Sequence, residues 1–254
     1  MTTAVIVLVA LGMDALLGWP MWLYRLIGHP VTWIGRLIGR LDHWLNLEET
    51  GSKERQLAGI VTALTVIGLS VECAWLVGWL LPKGWVGVLL AGVLAWPMLA
   101  MRSMHDHVVD VLAPLKAHDL PRARQAVARI VGRDVSVLDS TGVARASLES
   151  LAENTSDGIV APVIWGVIFG LPGIVAYKAI NTLDSMIGHR SPKYEAFGWA
   201  SARIDDLANL IPARATGLLF SLVSTRPRAA LTAMWRDAGK HRSPNAGWPE
   251  AALA

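Results

Sequence analysis

Long stretches of this chain carry almost no charge, and nothing else in the sequence limits its fold as strongly. Leu57 to Leu81 is apolar apart from Glu72, Val5 to Leu17 is apolar apart from Asp14, and Gly84 to Met101 holds no charged residue. A helix of about 20 apolar residues crosses the roughly 30 Å hydrocarbon core of a bilayer. Each run reaches or approaches that length. Charged residues make up only 17% of the chain, against about 25% in soluble domains. No positive residue precedes the first run, so it does not read as a secretory signal. The fold class expected is all-α: a polytopic membrane protein, one membrane-embedded domain over 1–254, with transmembrane helices plus amphipathic and broken or re-entrant helices.

The tryptophans agree with a bilayer. Trp19 and Trp22 end the first run, and Trp79 and Trp85 flank the Pro82-Lys83-Gly84 turn, where interfacial belts place such rings. The single cysteine, Cys73, excludes a disulfide framework and zinc spacing, and it is expected to be a small buried hydrophobe. A net charge of +3 with dispersed basic residues argues against nucleic acid as a partner. Lys and Arg are concentrated in 20–56 and 102–158, with only Lys83 in the turn between the second and third runs. The positive-inside rule therefore puts both basic segments in the cytoplasm and the amino terminus and the Lys83 turn outside.

Residues 102–158 have helical, amphipathic spacing. Met101, Met104, Val108, Val111, Leu112 and Leu115 share a face, Asp119 and Pro121 mark a helix start, and a further helix is expected over about Ser140 to Asn154. Residues 159–177 are apolar but interrupted by Pro162, Gly166, Gly170, Pro172 and Gly173. A broken or re-entrant pair is expected there, because a simple span would put the polar residues before and after it on opposite sides. Ala208 to Val223, with Pro212 and Arg214 inside it, poses the same question. The tail Ser243 to Glu250 reads as turn-rich loop.

Three carboxylate-bearing clusters stand out against this background, and charge near a membrane or a core is costly enough to need a reason. Glu149, Glu153 and Asp157 recur every four residues, with Asn154 and Ser156 adding neutral oxygens. Hard cations such as Mg²⁺ bind through one or two carboxylates and a substrate's phosphates; a solvated helix end is the plainer alternative. Lys178, Asn181 and Ser185 share a helical face with Asp184 at its edge, and His189 follows. Lys178 offers a compact charge to phosphate, or simply snorkels. In the third cluster Asp205 and Asn209 lie one turn apart, so only one of the adjacent Asp205 and Asp206 faces a site while the other packs on Arg203 or Arg214. His29-Pro30, read alone, is an interfacial turn entering a helix. Asp14 and Glu72, inside apolar runs, leave a transport path as an alternative. No P-loop, G-x-G-x-x-G, nucleophile elbow or HExxH occurs.

Taken together, these segments resemble the CobD/CbiB family of adenosylcobinamide-phosphate synthases. The likeness is carried by His29-Pro30 through Ile34-Gly35-Arg36, Gly132-Arg133-Asp134, Glu149 to Gly158, Ala161-Pro162, Tyr177 to His189, Tyr194 with Phe197-Gly198, Ser201 to Asn209, Pro212-Ala-Arg214 and Ser243 to Trp248. It covers essentially the whole chain. There are departures: Gly18-Trp19-Pro20 stands where members commonly have Gly-Asp-Pro, and Val135 stands where Thr is usual. Members also usually continue past position 254 through a Gly-rich stretch and a final hydrophobic segment, so the carboxyl terminus reads as truncated relative to the family.

The resemblance implies an ATP-dependent amide ligase in the inner cell membrane, multi-pass, with its active site on the cytoplasmic side. Its substrates would be adenosylcobyric acid, ATP with Mg²⁺, and (R)-1-aminopropan-2-ol or its O-phosphate. The bilayer and other membrane proteins of the corrinoid pathway are the partners it implies. Glu153, Asp157 and Asp184 are assigned to Mg²⁺. Lys178, Asp184, Arg203, Asp205 and Asp206 are the expected catalytic set, with Lys178 and Arg203 on phosphate and Asp205 or Asp206 a base or further metal ligand. His29, Arg36, Arg133, Asn154, Asn181, His189, Asn209 and Arg214 are expected to bind substrate or nucleotide. The rivals are a non-enzymatic AmpE-like membrane sensor, which would not need the second and third clusters intact, and a cobamide transporter.

Overall fold

The computed structural model describes residues 2–47, 49–132 and 134–254. Every regular element among them is helical. Ser52–Leu80, Trp85–Lys116 and Ser140–Ile187 each contain a stretch long and apolar enough to cross a membrane, and Thr2–Leu17 with Met21–Leu45 meets that test as a pair bent by 113°. The expected α-helical membrane fold is therefore borne out. Contacts divide the chain into two compact units, residues 1–99 with 161–209 and residues 100–160 with 210–254.

In the first unit, α1 (Thr2–Leu17) stops at Gly18, whose φ of 56° is the left-handed value glycine adopts cheaply. Its amide bonds back to the Asp14 carbonyl at 2.9 Å. Pro20 precedes α2 (Met21–Ile27), and α3 (Pro30–Leu45) follows with His29 as its cap, Nδ1 accepting from the Val31 amide at 3.2 Å. The His29-Pro30 turn thus enters a helix as its sequence indicates. Next come α4 (Ser52–Leu80) and α5 (Trp85–Ala95). Pro97, which lacks an N–H, sits in a 3₁₀ turn over Trp96–Met98, so the third apolar run is α-helical only in its first part. Trp22, Trp79 and Trp85 are all exposed, as belt residues are. Cys73 is also exposed, which corrects its reading as a buried hydrophobe. On a membrane helix the outward face meets lipid, so an apolar residue there need not be inside the protein.

The interrupted run resolves into a hairpin. α9 (Ala161–Ile187) contains Gly170 at φ 67°, ψ −147°, a conformation outside the helical region. A Cβ added to Gly166 would lie 2.6 Å from Ile174 Cγ1, and one on Gly173 would lie 2.2 Å from the Trp165 carbonyl oxygen. Residues eight apart in a straight helix are separated by about 12 Å, so the chain doubles back at Gly170. Ala161 accordingly packs in one cluster with Tyr177 and Ala208. The first limb is about 13 Å long, and its tip lies at the start of α1, where Thr3 Oγ1 donates to the Val167 carbonyl at 2.7 Å. The break expected from the Gly and Pro pattern is present, at Gly170.

After α9 a loop leads to α10 (Trp199–Ala208), and that loop is pinned. The Lys193 carbonyl accepts from Asn46 Nδ2 at 3.3 Å and from Arg55. The Lys193 ammonium meets Asp42 Oδ2 at 2.8 Å, and Asp42 and Tyr194 hold it above the usual lysine range. The loop therefore sits at the Ser52 end of α4, away from the Lys83 turn at its other end.

The second unit contains α6 (Met101–Lys116), α7 (Leu120–Val127) and α8 (Ser140–Thr155), close to the bounds expected from spacing. Asp119 caps α7 through the Arg122 amide at 3.1 Å. Val111, Ala123, Val127, Val143 and Ala146 form the core between these helices; Val111 and Met104 of the face expected on α6 are buried, whereas Leu112 is exposed. α8 runs on into a π-turn, Ser156–Val160. α11 (Leu210–Val223) spans 14 residues, about 21 Å, and α12 (Pro227–Asp237) follows. The tail is not loop throughout: α13 (Gly247–Leu253) forms where a Cβ on Gly217 would be 2.8 Å from the Trp248 carbonyl oxygen. Packing against α11 supplies the stability that the turn-rich sequence lacks.

These placements make a topological prediction. In a Cys73→Ala background, Ser191→Cys and Lys83→Cys will react with an impermeant maleimide from opposite faces of sealed vesicles. Labelling of both from one face contradicts the placement of the 189–198 loop.

Candidate functional site

The polar residues of the first unit gather where α9 ends and α10 begins. Asp184 lies one turn before the end of α9, and its carboxylate folds over Gly188: a Cβ there would be 2.0 Å from Asp184 Oδ1. Asp206 on α10 and His189 both lie within electrostatic range of Asp184. Asp206 is paired with Arg203, Nη1 to Oδ2 at 3.2 Å, Arg203 being half exposed and Asp206 less so. Asp205 turns the other way and accepts from Asn209 Nδ2 at 2.9 Å. The adjacent aspartates thus divide as their spacing requires, one on arginine and one on asparagine. Both belong to a helix held by Trp165 Nε1, which donates to the Ala208 carbonyl at 3.1 Å.

Lys178 is half-buried on α9 and within electrostatic range of His29, and its own carbonyl accepts from Thr182 Oγ1 at 2.6 Å. The His29 ring meets the edge of Trp19, with centroids 4.9 Å apart. Asn181 is half-buried, and its carbonyl accepts from Ser185 Oγ at 2.8 Å. His189 and Arg36 are exposed. The sequence-derived residues thus fall into two groups: Asp184, His189, Arg203 and Asp206 are linked by direct contact or electrostatic range, with Asp205 and Asn209 beside them, and Lys178 is linked to His29.

In the second unit, Asp157 lies in the π-turn after α8, half-buried, beside the exposed Glu153 and Asn154. Such turns interrupt α-helices preferentially at functional sites. The turn is held to the start of α6 by the Ala100 amide, which donates to the Gly158 carbonyl at 3.1 Å. Asn154 Nδ2 donates to the Ser150 carbonyl at 2.8 Å and to Ser150 Oγ at 3.0 Å, leaving its side-chain oxygen as the donor atom for a ligand. Arg214 stacks its guanidinium 4.5 Å over the Trp248 ring and donates to the Leu210 carbonyl at 2.7 Å. Arg133 lies outside the described residues. Asp14 is buried in the first unit, whereas Glu72 is exposed.

Among the described residues, no three His, Cys, Asp or Glu side chains form a ready-made cage for a metal. The carboxylates present suit an ion that arrives with its own phosphate ligands, since Mg²⁺ commonly takes only one or two from protein. Asp184 and Asp206 are hard oxygen donors of this kind, and a cation offsets the repulsion between two such neighbours.

Two positions escaped assignment to the site from sequence. Tyr177 donates from its hydroxyl to Asn209 Oδ1 at 2.9 Å, and Gly188 makes the space for the Asp184 carboxylate. In sequence Tyr177 is simply the residue before Lys178 in the segment that carries the family likeness. Only its placement against α10 reveals the bond.

This set of polar helix ends defines an α-helical, multi-pass membrane protein with a carboxylate-rich site. The family model for CobD/Cbib protein matches residues 7–254, and the chain belongs to that family. It is 63% identical over 254 residues to "Cobalamin biosynthesis protein CobD" of Rhodobacter capsulatus, covering all of this chain and 80% of that protein. The protein of the same name from a Sinorhizobium species is 48% identical, with the same coverage. That of Geobacter metallireducens is 44% identical over 98% of this chain and 78% of its own length. No solved structure matches the chain.

The Gly188 contact can be tested by stability. Gly188→Ala should lower unfolding free energy in detergent by about 1–3 kcal/mol, the usual cost of overpacking. Gly39→Ala, where nothing lies within 4 Å of the added carbon, should match or slightly exceed the parent. Equal stability of the two variants would mean Asp184 does not rest against Gly188.

Proposed function

We propose that this chain acts in cobalamin biosynthesis as an ATP-dependent amide ligase, joining adenosylcobyric acid to (R)-1-aminopropan-2-ol or its O-phosphate at the cytoplasmic face of the inner membrane. Family membership and the names of its relatives support the pathway. The observation that carries the chemistry is the gathering of Asp184, Asp206, His189 and Arg203 at the α9–α10 end of the first unit, with Lys178 earlier on α9 near His29. Paired carboxylates beside a cation are groups that a polyanionic nucleotide and its Mg²⁺ commonly use, which supports the reading.

A carboxylate is a poor electrophile. In the proposed reaction its oxygen takes the γ-phosphoryl group from ATP, giving an acyl phosphate and ADP. The amine then attacks the acyl carbon, the C–N bond forms, and phosphate leaves with the acyl C–O bond pair. Mg²⁺, brought with ATP, would neutralise phosphate charge, with carboxylate oxygens of Asp184, or of Glu153 and Asp157, as its one or two protein ligands. Lys178 and Arg203 bind the phosphate oxygens, the lysine as a compact charge and the arginine as a planar fork. The attacking amine must first lose a proton from its ammonium form, and Asp205 or Asp206 accepts it. His29, Arg36, Asn181 and His189 are proposed to orient the substrates in the first unit, and Asn154, Arg133 and Arg214 are proposed substrate contacts elsewhere in the chain.

Asp157→Asn tests the reading, because it removes one charge and keeps the shape. The variant should insert and accumulate as the parent does while losing at least about 100-fold in cobyrate-dependent amide formation, as charge-stabilising groups do. Chelation of divalent cations should abolish turnover in the parent, and Mg²⁺ should restore it. Near-normal turnover in Asp157→Asn would remove that residue from the site. ATP consumption without amide, or uptake of intact cobamide into vesicles, would replace the ligase by another activity.

A further inference from the structure

Asn209 stands among the residues expected to touch substrate, yet it is only 2% exposed, and both ends of its amide are taken up by protein. Its Oδ1 accepts from the Tyr177 hydroxyl at 2.9 Å, and its Nδ2 donates to Asp205 Oδ2 at 2.9 Å. Tyr177 is itself 1% exposed. It sits on the second limb of the α9 hairpin, packed with Ala161 and Ala208. From these contacts we infer that Tyr177 and Asn209 are positioning residues: a buried two-bond relay that fixes the carboxylate of Asp205 for the proposed ligase reaction, on which this role rests.

The direction of the relay is determined by what each group can do. An ionised carboxylate only accepts hydrogen bonds, a carboxamide has one accepting end and one donating end, and a phenol can do either. Asp205 therefore requires the NH₂ end of Asn209. That leaves the carbonyl end toward Tyr177, whose hydroxyl must donate. Without the phenol oxygen, the amide loses one of the two bonds that set its orientation, and its two ends are nearly the same shape. A turned amide would place Oδ1 against Asp205, oxygen against oxygen. Tyr177 thus controls Asp205 without touching substrate, from the residue immediately before Lys178.

The geometry also says why this device lies here. Asp205 is on α10 and Tyr177 on α9, so the relay ties the third polar cluster to the second. The backbone at the same point is tied too, because the Asn209 amide bonds to the Asp205 carbonyl at 3.0 Å. The side-chain relay adds the one thing a helical turn cannot supply, the rotation of the carboxylate about its own bond.

The test uses the full chain in lipid nanodiscs and three variants: Tyr177→Phe, Asn209→Leu and the two together. Phenylalanine keeps the ring and its packing. Under the inference, each single variant lowers kcat for amide formation about tenfold, the worth of one lost hydrogen bond in a transition state, while KM for ATP and for adenosylcobyric acid stays within about twofold. The double variant is then no slower than Asn209→Leu alone, because both remove the same restraint. Parent-like kcat in Tyr177→Phe, multiplicative losses in the double variant, or a rise in KM with kcat unchanged would each overturn it. A parent chain that forms no amide would overturn the ligase reading and this role together, which separates that failure from one confined to the relay.

Discussion

The reversal of the chain at Gly170 is the constraint on which the rest of the first unit depends. A straight helix over the apolar residues 161–187 would be about 40 Å long. It would carry Lys178 and Asp184 away from the residue where the segment begins. The left-handed backbone at Gly170 instead folds the segment on itself, with Gly166 and Gly173 providing room for the two limbs to touch. Ala161 and Tyr177 become neighbours, and α9 finishes beside the loop anchored by Asn46 and Arg55. Non-helical backbone at membrane depth is tolerated where protein surrounds it. Gly170 is buried against Thr3 and Ile6 of α1.

With the segment turned back, the polar clusters at the end of α9 and along α10 can share one surroundings. Asp184, Asp206, Arg203 and His189 are then linked through space rather than strung along a helix, and Lys178 comes near His29. The division of labour between Asp205 and Asp206 follows from helical geometry alone, since adjacent residues point about 100° apart. One carboxylate is balanced by Arg203 and the other is held by Asn209. Phosphoryl transfer depends more on such positioning and charge than on covalent help from the protein.

Much of this was legible in the sequence. Apolar runs broken by Pro and Gly gave the membrane helices and the hairpin, and helical spacing gave α6, α7 and α8 nearly to the residue. The third cluster was also readable, because Asp205 and Asn209 are four apart and a 3.6-residue period leaves them one turn from each other. What could not be read depends on contacts between elements distant in the chain. Tyr177 meets Asn209 32 positions later, and no local pattern announces that pairing. The helix at Gly247–Leu253 forms against α11 rather than from its own propensity. Cys73 misled because apolar surroundings in sequence signal burial in water-soluble folds but only hydrocarbon in a bilayer. Arg214 was expected to bind substrate or nucleotide, and in the structure it rests on an aromatic ring, a use of arginine that composition does not distinguish.

The doubling-back at Gly170 can be measured directly. In a Cys73→Ala background, Gly166→Cys and Ile174→Cys place two thiols where the limbs meet, the isoleucine replacement making space for the added sulfur. Mild oxidation in native membranes should then produce an intramolecular disulfide, detected as a linked peptide by mass spectrometry, because Cα atoms must lie within about 7 Å for that bond. Persistence of both free thiols under conditions that oxidise an accessible control pair would mean that the segment runs straight through, and the site described here would come apart.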